Sequence, residues 1–170
     1  MDLQDVGSEK AVLAGIYQYG RDALIDIEDI ISSDAFTIEE NQLLFLCLKR
    51  VLEDNLSIDL TAIVTTAERM QIDKKIIKEK KDIGYLRALF NFPIKLENVR
   101  GYAKRLAKLE FARKAQIRHK QAYDELGKIN GSESIDEILA ISEGTIFDLI
   151  QEINQGKNDQ PQLVAENGDE

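Results

Sequence analysis

The sequence has one cysteine, two prolines and no tryptophan among its 170 residues. The single cysteine, Cys47, excludes a framework of intramolecular disulfides, which favours an intracellular protein. Two prolines and ten glycines leave few interruptions, so long helices are favoured over many short strands. No apolar run approaches the roughly 20 residues that a membrane-spanning helix needs.

The first ten residues, "MDLQDVGSEK", are acidic and lack the basic region and the apolar segment of a secretory signal. We therefore expect a cytoplasmic protein. The hydrophobic content of 44% is enough to build a core, and the length suits one domain with an appendage.

The net charge of −9 is distributed in blocks. Residues 1–60 carry 4 Lys and Arg against 13 Asp and Glu, and residues 131–170 carry 1 against 10. Residues 61–130 carry 17 against 8, which gives the middle of the chain a net charge of +9. Such asymmetry can steer partners or orient subunits, although it does not indicate a fold.

The spacing of apolar residues predicts an all-α fold, with a globular helical bundle followed by a long antiparallel helical hairpin. We expect the globular head to span residues 1–94 and the hairpin to span 95–154. Residues 155–170 are polar and are expected to form a disordered tail, or the start of a linker to a further domain.

Residues suited to begin helices mark several boundaries. Ser8 is expected to cap a helix from about residue 9 to 19, and Asp59 to cap a later one. Two segments have the spacing of a capping box, in which a hydroxyl and a carboxylate three residues apart bond each other's backbone N–H: Thr37 with Glu40, and Ser134 with Glu137.

No pattern of residues indicates catalysis. The chain has no GxxxxGK[ST] phosphate-binding loop. His119 and Cys47 are single and distant in sequence, whereas a metal site needs several convergent ligands. We expect Cys47 to be an ordinary buried residue, and we predict no catalytic residue, no metal ligand and no cofactor in this chain.

A strongly basic stretch, "NVRGYAKRLAKLEFARKAQIRHK", covers residues 98–120. Arg100, Lys104 and Lys108 share one helical face, but the other cations are spread around the polar surface. This spread favours a solvent-exposed structural helix over a dedicated nucleic-acid contact. The apolar stripe of this helix is interrupted at His119. We keep those three cations as candidates for a secondary contact with DNA or with another subunit.

The second hairpin helix carries an apolar face wider than one facing helix covers. We predict that this face is an interface for self-association or for a partner, because exposed apolar patches signal such sites. Its residues are Ile135, Ile138, Leu139, Ile146, Leu149, Ile150 and Ile153.

Several segments resemble, in order and spacing, the amino-terminal domain of DnaB-type replicative DNA helicases. They are "SEKAVLAGI", "DAFTIEENQLLF", "LSIDLTAI", "IGYLRALFNFPIKLENVRGYAKRL" and "SIDEILAISEGTIFDLI". The resemblance covers about residues 8–153. Ser57 stands where the family has proline, and Ile83 where it has the first of two glycines, which indicates a diverged member, of phage or plasmid origin, in a bacterial or phage-infected cell.

The resemblance implies a non-catalytic domain that takes part in DNA replication. In this family, contacts of the head and of the hairpin join subunits into dimers and up to a hexamer, and so build a ring-shaped collar. The collar docks primase and can affect helicase loading. ATP and magnesium would bind a separate ATPase domain. Two alternatives stay open: a primase-like helicase-binding domain or free-standing regulator with the same fold, and a helical module that binds DNA non-specifically.

Overall fold

The computed structural model describes residues 2–77 and 80–158, and within these ranges only the backbone of 80–82 and 156–158. All of the regular structure in these ranges is helical, which confirms the predicted fold class. The helices are α1 (Val6–Tyr19), α2 (Arg21–Ile27), α3 (Glu39–Glu53), α4 (Leu60–Arg69), α5 (Asp73–Ile76), α6 (Lys80–Phe90), α7 (Leu96–Leu126) and α8 (Ile135–Asn158), with a short 3-10 helix at Ser33–Ala35 between α2 and α3.

The chain divides into two compact units, Met1–Ala112 and Arg113–Glu170. The first unit holds α1 to α6 and the first part of α7, and the second holds the rest of α7 and α8. Residues 155–158 continue α8, so the helix runs past the predicted end of the hairpin at 154. Residues 159–170, where we predicted most of the tail, lie outside the described residues.

The core of the first unit is built around α1. Every residue of α1 from Ala11 to Ile16 is buried. Gly15 allows α1 and α7 to approach each other closely, because a Cβ atom at this position would lie 2.5 Å from Cγ2 of Val99 on α7. A side chain at position 15 would therefore displace α7, which explains why glycine, the smallest residue, occupies this position.

The first unit extends past the boundary that we predicted at residue 94. Val99, Ala103 and Leu106, on the first three turns of α7, are buried in the same core as α1. On the same helix Tyr102 is exposed and Leu109 is half-buried. A head cut at residue 94 would expose part of its own core, and the division of the structure places the boundary at Ala112.

α1 begins earlier than predicted because a different residue caps it. The Asp5 carboxylate accepts hydrogen bonds from the backbone N–H and the hydroxyl of Ser8, each at 2.9 Å, so Asp5 and not Ser8 is the cap. The same carboxylate pairs with Arg105 on α7. The backbone N–H of Ser8 contributes most, and Arg105 next, to holding the pKa of Asp5 below its ordinary value of 3.8.

This lowered pKa predicts a pH-dependent contribution of Asp5 to stability. A carboxylate with a lower pKa in the folded state stabilises the fold fully above its unfolded pKa, and loses this effect as the pH falls through its folded pKa. Asp5→Ala should lower the free energy of unfolding by about 0.5–2 kcal/mol at pH 7, as expected for the loss of a helix cap. The difference from wild type, measured by urea unfolding, should shrink below pH 3.8. A difference that stays constant into strong acid would contradict this role.

The predicted capping box at Thr37 and Glu40 is wrong. α3 begins at Glu39 without a side-chain cap. The Thr37 hydroxyl instead donates to the Glu9 carboxylate at 2.8 Å, and the Thr37 backbone N–H donates to the same carboxylate. Glu9 is fully buried, and it takes the Thr37 backbone N–H that Glu40 would accept in a capping box, while the Thr37 hydroxyl donates to Glu9 and does not cap α3.

Glu9 belongs to a polar network inside the first unit. Asn41 of α3 donates from Nδ2 to Glu9 Oε2 at 2.8 Å, and its Oδ1 accepts from the Tyr85 hydroxyl at 3.0 Å. Burial, together with the negative charge of Glu9, raises the pKa of Tyr85 to about 12, so this phenol stays protonated and can donate. The network therefore ties α1, α3 and α6 together through polar groups that have partners.

The link between α6 and α7 is held by side chains of α1. Gln18 Nε2 donates to the carbonyls of Leu89 at 2.8 Å and Phe92 at 2.7 Å. The Tyr19 hydroxyl donates to the Ile94 carbonyl at 2.6 Å. These bonds engage carbonyls at the end of α6 and in the loop after it, and they hold the segment that leads into α7 against α1.

Candidate functional site

α8 begins at the capping box that the sequence predicted. The Ser134 backbone N–H donates to Glu137 Oε2 at 2.7 Å, and the Glu137 backbone N–H donates to Ser134 Oγ at 3.1 Å. Before this box, Gly131 has a φ of 94°, and its N–H donates to Glu133 Oε2 at 3.1 Å. The tight turn and the cap together allow α8 to run antiparallel to α7 within the second unit.

Charged side chains join the two helices of the second unit. Arg118 of α7 pairs with Glu152 at 3.0 Å and lies 3.9 Å from Asp148, both on α8. Arg118 is half-buried and His119 is exposed, so the predicted interruption of the apolar stripe lies one residue earlier than expected. Ala115, Ala122 and Leu126 are half-buried on the same side of the helix as Arg118.

The seven residues predicted as an interface divide into two groups. Leu149 is only 8% exposed and Ile138 is half-buried. At about 100° per residue these two share a helical face with Thr145 and Glu152, and Glu152 contacts α7. This part of the predicted interface therefore belongs to the interior of the second unit.

The other five residues form an exposed apolar row, which we call the α8 stripe. Their side chains are 44–78% exposed. At about 100° per residue they fall within an arc of roughly 60° on the face that adjoins the contact with α7. Phe147, 61% exposed, widens this surface on one side. The stripe consists of Ile135, Leu139, Ile146, Ile150 and Ile153.

The α8 stripe is chemically suited to binding an apolar surface and not to catalysis. An aliphatic side chain that passes from full exposure to full burial contributes about 1.5–3 kcal/mol, and one that is already half covered contributes correspondingly less. Several such residues in one row can offset part of the entropy that association costs. All five residues are among the seven that the sequence predicts as an interface, and that interface stays a prediction. The sequence also included Ile138 and Leu149, because a wide apolar face does not show which side its neighbour covers.

The basic stretch does not form one free cationic face. Arg100 donates to the backbone carbonyl of Asp26 and pairs with the Asp29 carboxylate at 3.2 Å. Among the three cations predicted for a secondary contact, Lys104 and Lys108 are exposed. Arg100 is therefore engaged within the first unit, and two lysines, one turn apart on α7, are left as the candidate contact.

Among the described residues, no group of three or more His, Cys, Asp or Glu side chains is placed to hold a metal ion. Cys47 is fully buried, with Sγ 3.5 Å from the Ile63 carbonyl oxygen. Burial raises its pKa to about 11, so it behaves as an inert core residue, as predicted. Within the described ranges, no helix combines the length and the apolar character needed to cross a membrane.

Comparisons with known proteins show the fold by structural similarity and the family by a sequence model. The chain is similar to the crystal structure of the N-terminal domain of DnaB helicase from Mycobacterium tuberculosis, with a TM-score of 0.70 and 18% sequence identity over 87% of this chain and 99% of that one. No curated protein sequence matches the chain significantly. A family model described as the DnaB-like helicase N terminal domain matches residues 1–108, more than half of the chain. The chain belongs to the DnaB-like helicase N-terminal domain family.

Proposed function

We propose that this chain is the assembly domain of a hexameric replicative DNA helicase. It self-associates into the ring-shaped collar of the helicase and docks primase or a helicase loader during DNA replication. The chain itself carries no catalytic step, since ATP hydrolysis and strand separation would belong to a separate ATPase domain. Family membership supports the helicase context, and the α8 stripe carries the proposal for assembly.

The α8 stripe supports assembly because its exposure is costly for an isolated chain. Five aliphatic side chains in a row on one helix form a contiguous apolar surface in contact with water. A monomeric soluble domain seldom maintains such a surface without a function in binding. Leu149, on a different face of α8, is already buried against α7. Rotation of α8 to bury the stripe would therefore expose Leu149 instead.

Ile146→Asp should weaken self-association at least tenfold while leaving the fold intact. Ile146 is 51% exposed in the middle of the α8 stripe, so a carboxylate there stays hydrated in the monomer but would be desolvated in an interface. Sedimentation equilibrium at several concentrations measures the association constant, and circular dichroism checks the helix content. Binding of the cognate primase to the collar should be lost together with assembly.

Ile25→Asp provides a matched control, because Ile25 is 57% exposed on α2 in the first unit. This variant should associate like wild type. Equal association of wild type and both variants would show that the α8 stripe is not the interface. Weakening by Ile25→Asp alone would place the interface on the head.

A further inference from the structure

An open cavity of about 410 Å³ lies on the first unit, between the junction of α1 with α2 and the loop from α3 to α4. Its apolar lining comes from the ring of Tyr17 and from Leu52, Leu56 and Ile58. Leu56 is 46% exposed, so part of this apolar lining is in contact with water. Cavities that bind ligands have volumes of about 300–1,000 Å³ and combine an apolar lining with a few polar groups.

The two sides of the cavity are fixed to each other. Arg21, at the start of α2, donates from Nη2 to the Leu52 carbonyl at 2.8 Å and to Asn55 Oδ1 at 3.2 Å. Gly20 and Asn55, which line the same cavity, have positive φ angles of 60° and 59°. Glycine and asparagine tolerate this left-handed backbone better than most residues do. The cavity is therefore preformed, and a ligand need not order its walls.

Tyr17 supplies an aromatic wall. It is half-buried, and Phe90 of α6 packs against it edge-on, with the ring centroids 5.9 Å apart. Phe90 is 62% exposed, so it extends the apolar surface from the cavity to α6. Among the described residues, none forms a hydrogen bond with the Tyr17 hydroxyl, which is thus available to a ligand. Such aromatic surfaces accommodate the aromatic anchors of protein partners.

The border of the cavity is acidic. Residues 17–22 and 52–59, which supply the lining and its direct neighbours, contain four Asp or Glu against one Lys or Arg. Asp54 is paired with two arginines. The other three acids are exposed: Asp22, Glu53 and Asp59. Burial first, and then the negative charge of Asp59, raises the pKa of the Tyr17 phenol, so this carboxylate acts on the cavity itself. Such a border repels anionic ligands and attracts cationic ones.

We propose that this cavity docks a basic peptide segment of a partner protein, which inserts one aromatic side chain against Tyr17 and Leu56. The apolar lining selects the aromatic anchor, and the acidic border, with Glu53 and Asp59, selects the lysines or arginines that flank it. The site shares no residue with the α8 stripe and does not depend on self-association. It adds to the proposed function a separate docking site and the chemistry of its ligand.

The absence of tryptophan from the chain permits a direct test with a tryptophan-containing probe. The probe is a capped peptide in which one tryptophan lies between two pairs of lysines, with a glycine at each end, and it is titrated with the full chain. The indole emission should shift to shorter wavelength as the ring becomes buried, and the shift should saturate. A peptide with glutamates in place of the lysines should bind at least tenfold more weakly at low salt, and this difference should shrink at high salt.

Leu56→Lys should weaken binding of the lysine peptide at least fivefold, because it places a cation in the lining and removes an apolar contact. Leu46→Lys is the matched control, since Leu46 is 38% exposed on α3 and does not line the cavity. Both variants change the net charge equally, so general attraction of the peptide to the acidic chain affects them alike. Equal weakening in both variants, or an emission that does not shift with wild type, would overturn the proposal.

Asp59→Asn tests the acidic border without disturbing the lining. Asparagine caps a helix about as well as aspartate does, so α4 should keep its cap while the charge is lost. Binding should fall about two- to threefold at low salt and change little at high salt. Unchanged binding at low salt would contradict the selection of cations by this border. Neither failure would bear on self-association, which is measured separately by sedimentation.

Discussion

Glu9→Ala should lower the free energy of unfolding by about 3–5 kcal/mol, which is a large fraction of the stability of a typical domain. The substitution leaves the amide of the buried Asn41, and the backbone N–H and hydroxyl of the half-buried Thr37, without the Glu9 carboxylate as their acceptor. Each buried polar group that loses its partner costs about 1–3 kcal/mol. Urea unfolding followed by circular dichroism measures the effect.

Two further variants separate the network from the loss of a charge. Glu9→Gln keeps the shape of the side chain but places an amide donor against donors, so its loss of stability should be smaller than that of Glu9→Ala. Glu68→Ala removes an exposed carboxylate from α4 and should change the free energy of unfolding by about 0.5 kcal/mol or less. Similar losses for Glu9→Ala and Glu68→Ala would show that the network contributes nothing specific.

Leu149→Asp should disrupt the second unit, in contrast to Ile146→Asp three residues earlier. Leu149 is 8% exposed on the face of α8 that packs on α7, so a carboxylate there would lie against apolar neighbours without a partner. We expect hydrogen exchange of the α8 amides to become at least a hundredfold faster, while amides of α1 and α3 in the first unit keep their protection.

Ile146→Asp is the internal control for this experiment, because both residues belong to the same apolar face in the sequence. Its amides should keep the protection of wild type in the monomer. Loss of protection in both variants would mean that the α8 stripe is part of the interior of the second unit. In that case the stripe would not be available for self-association.

Features that depend on neighbouring residues were predicted well from the sequence. The capping box of Ser134 and Glu137 and the cap at Asp59 formed as expected, because both partners of each hydrogen bond lie within three residues. The all-α fold followed from apolar spacing over long segments. Such local patterns contain the information that decides them.

Features that depend on residues distant in the sequence were not predicted from the sequence. Thr37 has the sequence of a cap, but Glu9, 28 residues earlier, takes its donors. The first unit includes the start of α7, where Val99, Ala103 and Leu106 pack in its core and Val99 lies against Gly15, and no periodicity within α7 shows these contacts. Leu149 and Ile146 are equivalent in the pattern of α8, and only the position of α7 distinguishes the buried residue from the exposed one.

The basic stretch of residues 98–120 illustrates the same point. Its charge pattern alone left a DNA contact and a solvent-exposed helix as alternatives. The structure places Arg100 on Asp29, Arg105 on Asp5 and Arg118 on Glu152. Three of its cations therefore bind acidic residues of the same chain, which accounts for part of the charge without invoking nucleic acid.

The most direct test of the proposed assembly is the mass of the chain in solution as a function of concentration. Sedimentation equilibrium from a few micromolar to several hundred micromolar should show the average mass rising from the monomer value of 19.2 kDa to at least twice that value. A mass that stays at 19.2 kDa across the whole range would contradict the proposal that the α8 stripe assembles the helicase collar.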